Sequence, residues 1–377
     1  MRIGFRAVPL KFMALAALLT FSGLAAGPEA CAQARFVQTI EGFHSPAAVA
    51  VAEDGRTFYV TNAARGEYGM LAGEGALSRL RLNDQNQLEV VDRRFVEKLN
   101  APLGIAVLPA DVGPIPAGAL AVAVGGSWTV NERGTSLDDD RERGAGVVFI
   151  HPESGEVLAH LYLGAGSTLA AKIGHPIRDP MAVAADAAGN LILTDVAGSG
   201  VRPLDPAEGV PGILKLTSKG VAALLAGEDL ERRDFLFAPV RNLPTGVYYA
   251  RHDKSLYWIT GQIAYDLGGA VMRLPNADYT GQPETIDKEL GALLGFTVTP
   301  KGTIIASRSN GDMLMIHGRK DRVIKFKGHA NFAFLSPGQP AATLLPSGET
   351  LVVVPEMSGG HGPWRQRLRT FVLPAKY

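Results

Sequence analysis

The clearest repeat in this sequence reads Pro180-Met181-Ala182-Val183-Ala184-Ala185-Asp186-Ala187-Ala188-Gly189-Asn190-Leu191-Ile192-Leu193-Thr194-Asp195. A proline leads into a short apolar strand, a polar turn with Gly189 follows, and a second apolar strand ends at Asp195. Copies of this phrase, some of them weaker, begin at Ser45-Pro46, Pro102, Pro244, Leu294 and Pro340. Self-similarity of this kind is the signature of a repeat architecture, so it predicts the fold before any residue is considered for chemistry.

Each clear copy is followed by two further predicted strands. These are residues 76–82 and 87–91, then 146–150 and 156–161, then 212–216 and 220–224. The first two strands of a unit are nearly all small and apolar, as strands buried on both faces are. The later strands alternate apolar with charged residues, which is typical of half-exposed strands. Four strands that pass from buried to exposed form one blade of a β-propeller.

The six copies predict an all-β fold, a six-bladed β-propeller with four-stranded blades. The last unit is one strand short, and residues 35–40 remain at the start of the mature chain. We expect this N-terminal strand to complete the last blade and close the ring, which removes exposed strand edges. A ring of seven or eight blades with an unrecognised repeat is the alternative. Only short helices are expected, near residues 168–172 and 226–233.

Residues 1–34 are typical of a secretory signal peptide. Basic residues precede a short apolar run at residues 12–19, and Ala32-Gln33-Ala34 gives a small-x-small cleavage pattern. A lipoprotein anchored through Cys31 is the alternative. Cleavage after Ala34 removes the only cysteine and leaves a single domain, residues 35–377, with no disulfide or thiolate metal site. We therefore expect a periplasmic or secreted protein.

The composition limits which classes of binding partner we expect. The 377 residues carry 37 Lys and Arg against 37 Asp and Glu, which gives no electrostatic argument for nucleic acid or an anionic membrane. The apolar run of the leader is too short to favour a membrane span, so we expect no membrane insertion after signal cleavage. No serine nucleophile elbow, zinc-binding His-Glu-x-x-His or phosphate-binding loop is present in the sequence. The expected partner is a small-molecule ligand or another exported protein, with no cofactor.

The pattern of residues 180–195 resembles an NHL repeat, and the whole chain after the leader resembles the six-bladed propellers of the NHL-repeat and SMP-30/gluconolactonase-like group. That fold hosts lactonases, phosphotriesterases, lyases and binding modules. The resemblance implies that function lies on the face where the loops between second and third strands gather. Several of these loops are long here, at residues 62–75, 125–144, 195–211, 260–269 and 355–365.

The resemblance also gives an expectation about metal binding. SMP-30-like lactonases hold a divalent metal with a Glu and with Asn and Asp side chains, the latter at the start of the innermost strands. The matching positions here, called slots below, are Ala47, Leu103, Met181, Thr245, Leu294 and Ala341. Only Thr245 has a side-chain oxygen, and a hard cation needs several oxygen ligands. The sequence therefore predicts no metal at these slots and argues against the metal-dependent lactonase mechanism.

Polar residues at the ends of predicted second strands are the next candidates. They are Asn62, Glu132, Asp195, Asp266 and Glu356. Asn62 and Asp195 either take part in a site or cap their turns by accepting hydrogen bonds from backbone N–H groups. Glu356 lies close to His361 in a Gly-rich segment, where the two side chains can do acid–base chemistry. A plain surface loop rich in glycine is the alternative.

Histidines and aromatic residues give weaker signals. His175, His44 and His329 are candidates for a His–His pair like that of arylesterase-type propellers, or they are packed or surface residues. The aromatic residues Trp128, Trp364 and Tyr265 lie on predicted long loops. They can stack on a sugar or an apolar ligand, or they can pack the rim of the ring.

We interpret the sequence as an exported propeller that binds a small molecule or a protein through its long-looped face. The candidate ligand-binding residues are Asn62, Trp128, Glu132, Thr245, Tyr265, Asp266 and Trp364. The alternative is a lactone or ester hydrolase that uses Glu356, His361, His175 and Asp195. An accessory subunit of an exported oxidoreductase is a third possibility. The sequence leaves open whether the protein is an enzyme.

Overall fold

The computed structural model describes residues 34–377, apart from residues 66–69, 127–128, 132, 136–143, 198–208, 241, 263–266, 276–280, 319, 324–336 and 358–365. Residues 1–33 of the predicted signal peptide lie outside the described residues. No helix among the described residues is both long and apolar enough to cross a membrane.

The described chain forms six four-stranded antiparallel sheets, the blades of a propeller. The first strand is β1 (Arg35–Glu41). Blade 1 contains β2 (Pro46–Val51), β3 (Thr57–Asn62), β5 (Gly75–Leu82) and β6 (Leu88–Leu99), with the short β4 (Met70–Leu71) in its loop. Blade 2 contains β7 (Ile105–Val107), β8 (Leu120–Val124), β10 (Gly146–Ile150) and β11 (Val157–Tyr162), with the short β9 (Thr129–Val130) in its loop.

The other blades follow the same order from the centre outward. Blade 3 contains β12 (Pro180–Ala185), β13 (Leu191–Asp195), β14 (Gly212–Leu216) and β15 (Phe235–Pro239). Blade 4 contains β16 (Leu243–Ala250), β17 (Ser255–Gln262), β18 (Leu267–Leu274) and β19 (Glu284–Lys288). Blade 5 contains β20 (Leu293–Val298), β21 (Ile304–Arg308), β22 (Met313–His317) and β23 (Lys320–Val323). Blade 6 contains β24 (Ala341–Leu344), β25 (Thr350–Glu356) and β26 (Arg367–Leu373), and β1 pairs with β26 as its outermost strand.

The predicted six-bladed fold is confirmed, and the alternative of seven or eight blades is wrong. The innermost strands β2, β7, β12, β16, β20 and β24 contact one another around a central channel. Blades 1 and 6 are joined directly, since the Val49 N–H donates to Gln339 O at 3.0 Å and the Gln339 N–H donates to Ala47 O at 2.9 Å.

The core lies between the blades rather than within one layer. Among the described residues, one apolar cluster lies at each of the six blade interfaces. For example, Phe149 of blade 2 and Leu193 of blade 3 belong to one cluster, and both are 0% exposed. Burial of such side chains contributes about 1.5–3 kcal/mol each, so the ring is stabilised mainly by contacts between neighbouring blades.

The third blade corrects one predicted strand. Residues 220–224 lie in helix α2 (Ser218–Ala226), and the outermost strand of the blade is β15 instead. The Thr217 side chain caps the helix by accepting from the Gly220 N–H at 3.0 Å, and Gly227 ends it with φ 71°. Threonine before an alanine-rich run, and glycine after it, are ordinary helix boundaries that the strand prediction overlooked.

The predicted short helix near residues 168–172 is present as α1 (Thr168–Ile173). The second short helix was predicted near residues 226–233. There the structure has only the end of α2 and a 3₁₀ turn at Arg232–Asp234.

Candidate functional site

One end of the channel is formed where the innermost strands begin, and we call it the loop mouth. In β2, Pro46 pairs with Asn62 and Ala48 pairs with Thr61, so Ala47 is skipped as a β-bulge. The same skip occurs at the slots of blades 3, 4 and 5. A bulge turns its extra residue out of the regular pairing. The slot residues Ala47, Leu103, Met181, Thr245 and Leu294 all line a cavity at this mouth.

The sixth predicted slot, Ala341, is wrong by three residues. Pro337 bridges Glu356, as Pro46 pairs with Asn62, so the slot of blade 6 is Gly338. Ala341 pairs with Val353 and lines the other end of the channel. Pro337 and Pro340 both fit the start of a repeat in the sequence, and the strand pairing shows that the repeat begins at Pro337. The corrected slot still provides no side-chain oxygen.

The loop-mouth cavity has a volume of about 490 Å³ and largely apolar walls. Met181, Leu294 and Met357 line it and are only half-buried, so part of their apolar surface faces the cavity. Methionine side chains are flexible and adapt to ligands of different shape. Arg65 and Gln339 add a cation and an amide to this lining. The cavity thus combines adaptable apolar walls with a few polar groups, as small-molecule sites do.

The loops of blades 1 and 2 are tied together beside this mouth. Strands β4 and β9 pair in parallel, and the Ala72 N–H donates to Val130 O at 3.0 Å. The Asn100 side chain also accepts from the Gly73 N–H at 2.8 Å. These bonds fix the base of both loops, which gives one side of the loop mouth a defined shape.

Thr245 is the one predicted ligand-binding residue that the structure places in the cavity lining. Its side chain is 2% exposed, and its hydroxyl donates to the carbonyl of Leu293 in the next blade at 2.7 Å. Thr61 of blade 1 likewise donates to the carbonyl of Leu103 in blade 2, at 2.7 Å. The hydroxyl of Thr245 therefore helps to hold blades 4 and 5 together.

The divalent ion that the gluconolactonase-like group implies does not fit these residues. Hard cations take six or more oxygen ligands, several of them carboxylates. The slots offer the single hydroxyl of Thr245, which already donates its proton to Leu293 O. Within the described ranges, no group of three or more His, Cys, Asp or Glu is arranged to hold a metal.

Asn62 and Asp195 occupy matching positions at the ends of β3 and β13. Asn62 accepts from the His44 N–H at 3.2 Å. Asp195 accepts from the N–H groups of Arg178, Asp179 and Ala197 at 3.1, 2.8 and 2.9 Å. Both residues are at most 4% exposed. These are the hydrogen bonds expected of the capping alternative, and neither side chain lines the loop-mouth cavity.

Burial raises the pKa of the Asp195 carboxyl group. Desolvation, followed by the charge of Asp179, raises the pKa of Asp195 to about 7, although its three backbone hydrogen bonds lower it. Asp179 is itself 2% exposed. The folded state therefore holds Asp195 partly protonated near neutral pH.

Glu356 has the same position at the end of β25 as Asn62 has at the end of β3. Its side chain is 0% exposed and pairs with Arg367 Nε at 2.5 Å and Arg369 Nη2 at 2.9 Å. Both arginines lie on the neighbouring strand β26. An acid–base catalyst must reach its substrate, and a carboxylate enclosed by two guanidinium groups is placed to hold strands together instead.

His175 lies away from the channel. It is 8% exposed, and its ring contacts Phe237 of the outermost strand β15 edge-on, at 4.7 Å between centroids. Its Nδ1 is 3.1 Å from Pro176 O. The structure therefore does not bring His175, Asp195 and Glu356 together at one cavity.

Of the remaining candidates, His44 is an exposed residue, and the others lie outside the described residues. These others are Trp128, Glu132, Tyr265, Asp266, His329, His361 and Trp364. Sequence reasoning missed Arg65, Gln339 and Met357, which line the loop mouth. Aligning blade 6 on Pro337 would have identified Gln339, because this residue then directly follows the slot. For Arg65 and Met357 the only sequence signal is that each lies shortly after the second strand of its blade.

Comparison with known proteins identifies the fold alone. No protein-family model and no curated protein sequence matches the chain. The structure is similar to a gluconolactonase from Xanthomonas campestris, with 14% identity and a TM-score of 0.51 over 90% of this chain and 91% of that one. It is also similar to a protein of unknown function from Dyadobacter fermentans, with 11% identity and a TM-score of 0.55 over 90% and 99% of the two chains.

An α-L-arabinofuranosidase from Fusarium graminearum is equally similar, with 10% identity and a TM-score of 0.54 over 90% and 98% of the chains. The predicted resemblance to gluconolactonase-like six-bladed propellers is thus confirmed for the fold. Since the similar structures include different activities, the fold does not assign one.

Proposed function

We propose that this protein is an exported propeller that binds a small amphipathic carboxylate at the loop mouth. The observation that carries the proposal is the cavity of about 490 Å³, whose half-buried apolar walls include Met181, Leu294 and Met357. The apolar part of the ligand packs against these side chains. Its carboxylate reaches Arg65, which is exposed at the rim of the same cavity.

The polar groups support a carboxylate rather than a cation as the recognised group. Arg65 is a fixed positive charge, and guanidinium groups bind carboxylates through parallel hydrogen bonds. The Gln339 side chain, also in the lining, adds an amide donor. The described lining residues include no Asp or Glu that would repel an anion.

Isothermal titration calorimetry with hexanoate, octanoate and phenylacetate, each beside its methyl ester, tests this proposal. We expect the carboxylates to bind more tightly than the esters. Met181→Trp fills the cavity and should weaken binding at least tenfold, while Met181→Leu keeps the volume and should change it little. If no carboxylate binds at millimolar concentration, or if Met181→Trp binds like the native protein, the proposal is wrong.

Arg65→Ala tests the charge separately. A hydrogen bond to a charged group contributes about 1.5–3 kcal/mol, so we expect carboxylate affinity to fall about tenfold or more and ester affinity to stay the same. Arg81→Ala is the matched control, because Arg81 is an exposed arginine of the same blade that does not line the cavity. Equal losses in both variants would point to general charge attraction instead.

The lactone or ester hydrolase stays the alternative, supported only by the similar fold of a gluconolactonase. Among the described residues, Glu356 and Asp195 are buried in hydrogen bonds and ion pairs of the scaffold. A panel of lactones and aryl esters distinguishes the two proposals. Turnover above the buffer rate, abolished by Met181→Trp, would favour the hydrolase. A protein partner docking on the same face would instead appear in pull-downs from periplasmic extract.

A further inference from the structure

The channel is divided by a narrow region one residue past the slots. The residues there lie in the innermost strands or, in blades 2 and 6, just before them: Ala48, Gly104, Ala182, Gly246, Gly295 and Gln339. A Cβ added to Gly104 would lie 2.5 Å from Ala182 Cα, and one added to Gly295 would lie 2.5 Å from Gln339 Cα. The small residues let neighbouring strands approach this closely. Gln339 lines cavities on both sides of this region.

The second cavity lies at the opposite end, which we call the turn mouth because the turns between first and second strands surround it. Its volume is about 400 Å³. The half-buried apolar residues of its lining include Val51, Ala106, Val107 and Pro109. A cavity of this size and lining falls in the range of small-molecule sites, about 300–1,000 Å³.

One pair of hydroxyl groups provides a polar point in this apolar cavity. Tyr248 and Thr297 both line it, and their side chains are hydrogen-bonded to each other. Burial raises the pKa of Tyr248, so the phenol is neutral at physiological pH. Two bonded hydroxyls still have acceptor lone pairs to offer to a ligand.

An ion pair crosses the turn mouth. Glu53 lies in the turn of blade 1 and Arg251 in the turn of blade 4, and these blades face each other across the ring. Their side chains meet at 2.8 Å and both line the cavity. The side chains are 60% and 54% exposed. The pair therefore spans the opening from the solvent side.

We propose that the turn-mouth cavity is a second binding site, for a small uncharged and mainly apolar molecule that carries one hydroxyl or carbonyl group, and that the Glu53–Arg251 pair is its gate. The apolar walls exclude a charged ligand, because desolvating a charge without a partner is costly. The charge of Arg251 is already matched by Glu53, and the other titratable groups in the lining are His252, Tyr248 and Tyr249. This site is separate from the carboxylate site proposed at the loop mouth, so either proposal can fail alone.

Three probes of one shape test the chemistry of the site: p-cresol, toluene and p-toluate. Titration calorimetry on the purified protein should show p-cresol binding most tightly, toluene more weakly and p-toluate at least tenfold more weakly than p-cresol. Ala106→Phe fills the turn-mouth cavity, since Ala106 is a half-buried part of its lining, and should weaken p-cresol binding at least tenfold. Met181→Trp, at the other end, should leave it unchanged.

The proposal is overturned if p-cresol does not bind at millimolar concentration, or if Met181→Trp removes its binding while Ala106→Phe does not. Tyr248→Phe keeps the test decisive if Ala106→Phe does not fold. This variant removes only a hydroxyl, so the affinity ratio of p-cresol to toluene should fall about fivefold. An unchanged ratio would show that Tyr248 does not contact the ligand and would overturn the site as described.

The gate is tested by the rate of association in stopped-flow experiments. Exposed ion pairs contribute little, so we expect Arg251→Ala to raise the association rate of p-cresol only about two- to fivefold. Lys219→Ala breaks an exposed ion pair with Glu231 elsewhere on the surface and should leave the rate unchanged. If Arg251→Ala and Lys219→Ala give the same rate as the native protein, the gate is wrong.

Discussion

The two ends of the channel each have a Glu–Arg ion pair, and the pairs differ in burial. At the loop mouth, Glu356 is 0% exposed and pairs with Arg367 and Arg369. At the turn mouth, the side chain of Glu53 is 60% exposed and pairs with Arg251. The first pair joins neighbouring strands of one blade, whereas the second joins blades on opposite sides of the ring.

This difference shows why the same residue types have different roles. A buried carboxylate that loses its partners leaves uncompensated charge in a medium of low dielectric constant, so a buried pair is expensive to break. An exposed pair exchanges its partner for water at little cost. The buried pair is therefore suited to holding strands of blade 6 together, whereas the exposed pair is suited to the gate proposed at the turn mouth.

The largest expected effect is at the buried pair. Glu356→Gln leaves Arg367 and Arg369 without their carboxylate, and we expect the free energy of unfolding to fall by about 3–5 kcal/mol. Urea unfolding followed by circular dichroism measures it. Glu349→Gln is the control, since the side chain of Glu349, in the same blade, is 36% exposed and lies 4.0 Å from Arg35. If the two variants are equally stable, Glu356 has no structural role.

The next effect is a pH dependence at the loop-mouth end of blade 3. The pKa of Asp195 is about 7 in the folded protein and about 3.9 in an unfolded chain. Between these values the folded state holds a proton that the unfolded chain has released. This group therefore makes the free energy of unfolding fall as pH rises from about 4 to 7, by at most about 4 kcal/mol.

Urea unfolding at pH 5 and pH 7.5 checks the sign. Asp195→Asn should show a smaller loss of stability over this interval than the native protein. Asp54→Asn is a control of opposite sign. Burial alone would raise the pKa of Asp54, but hydrogen bonds from Thr57 and Arg56 lower it overall, so its contribution is lost only in acid. If the native protein became more stable from pH 5 to 7.5 and Asp195→Asn removed that gain, the raised pKa of Asp195 would be contradicted.

The smallest effect is expected at the exposed pair. In a double-mutant cycle of Glu53→Gln and Arg251→Gln, the coupling free energy should be below about 1 kcal/mol, and it should decrease in high salt. Urea unfolding of the four proteins measures it. A coupling as large as that expected for Glu356 would mean that the turn mouth is held shut rather than gated.

Much of the fold could be predicted because the repeat uses local signals. Proline, a glycine turn and two apolar strands mark each blade. In blade 2, β10 and β11 lie within one residue of their predictions, whereas β6 of blade 1 continues to Leu99, eight residues beyond its predicted end at residue 91. The error in blade 3 arose because alanine-rich residues 220–224 suit a buried strand or a helix, and the capping residues Thr217 and Gly227 decide between them.

Less of the candidate site could be predicted, because it depends on residues distant in sequence. Glu53 and Arg251 meet across the ring although 198 positions separate them, and no local pattern marks either one. The error at Ala341 has a different cause. Two prolines three residues apart both fit the repeat, and only the pairing of Pro337 with Glu356 fixes the register.

The pairing of β1 with β26 has a consequence for biogenesis. Blade 6 takes its outermost strand from the beginning of the chain and its other strands from the end. During synthesis, β1 must therefore wait until residues 367–373 have been made before its partner exists. Contacts of such long sequence separation form slowly. We therefore expect the ring to stay open, with the edges of β1 and blade 6 unpaired, until β26 is available, and unpaired strand edges are prone to misassembly.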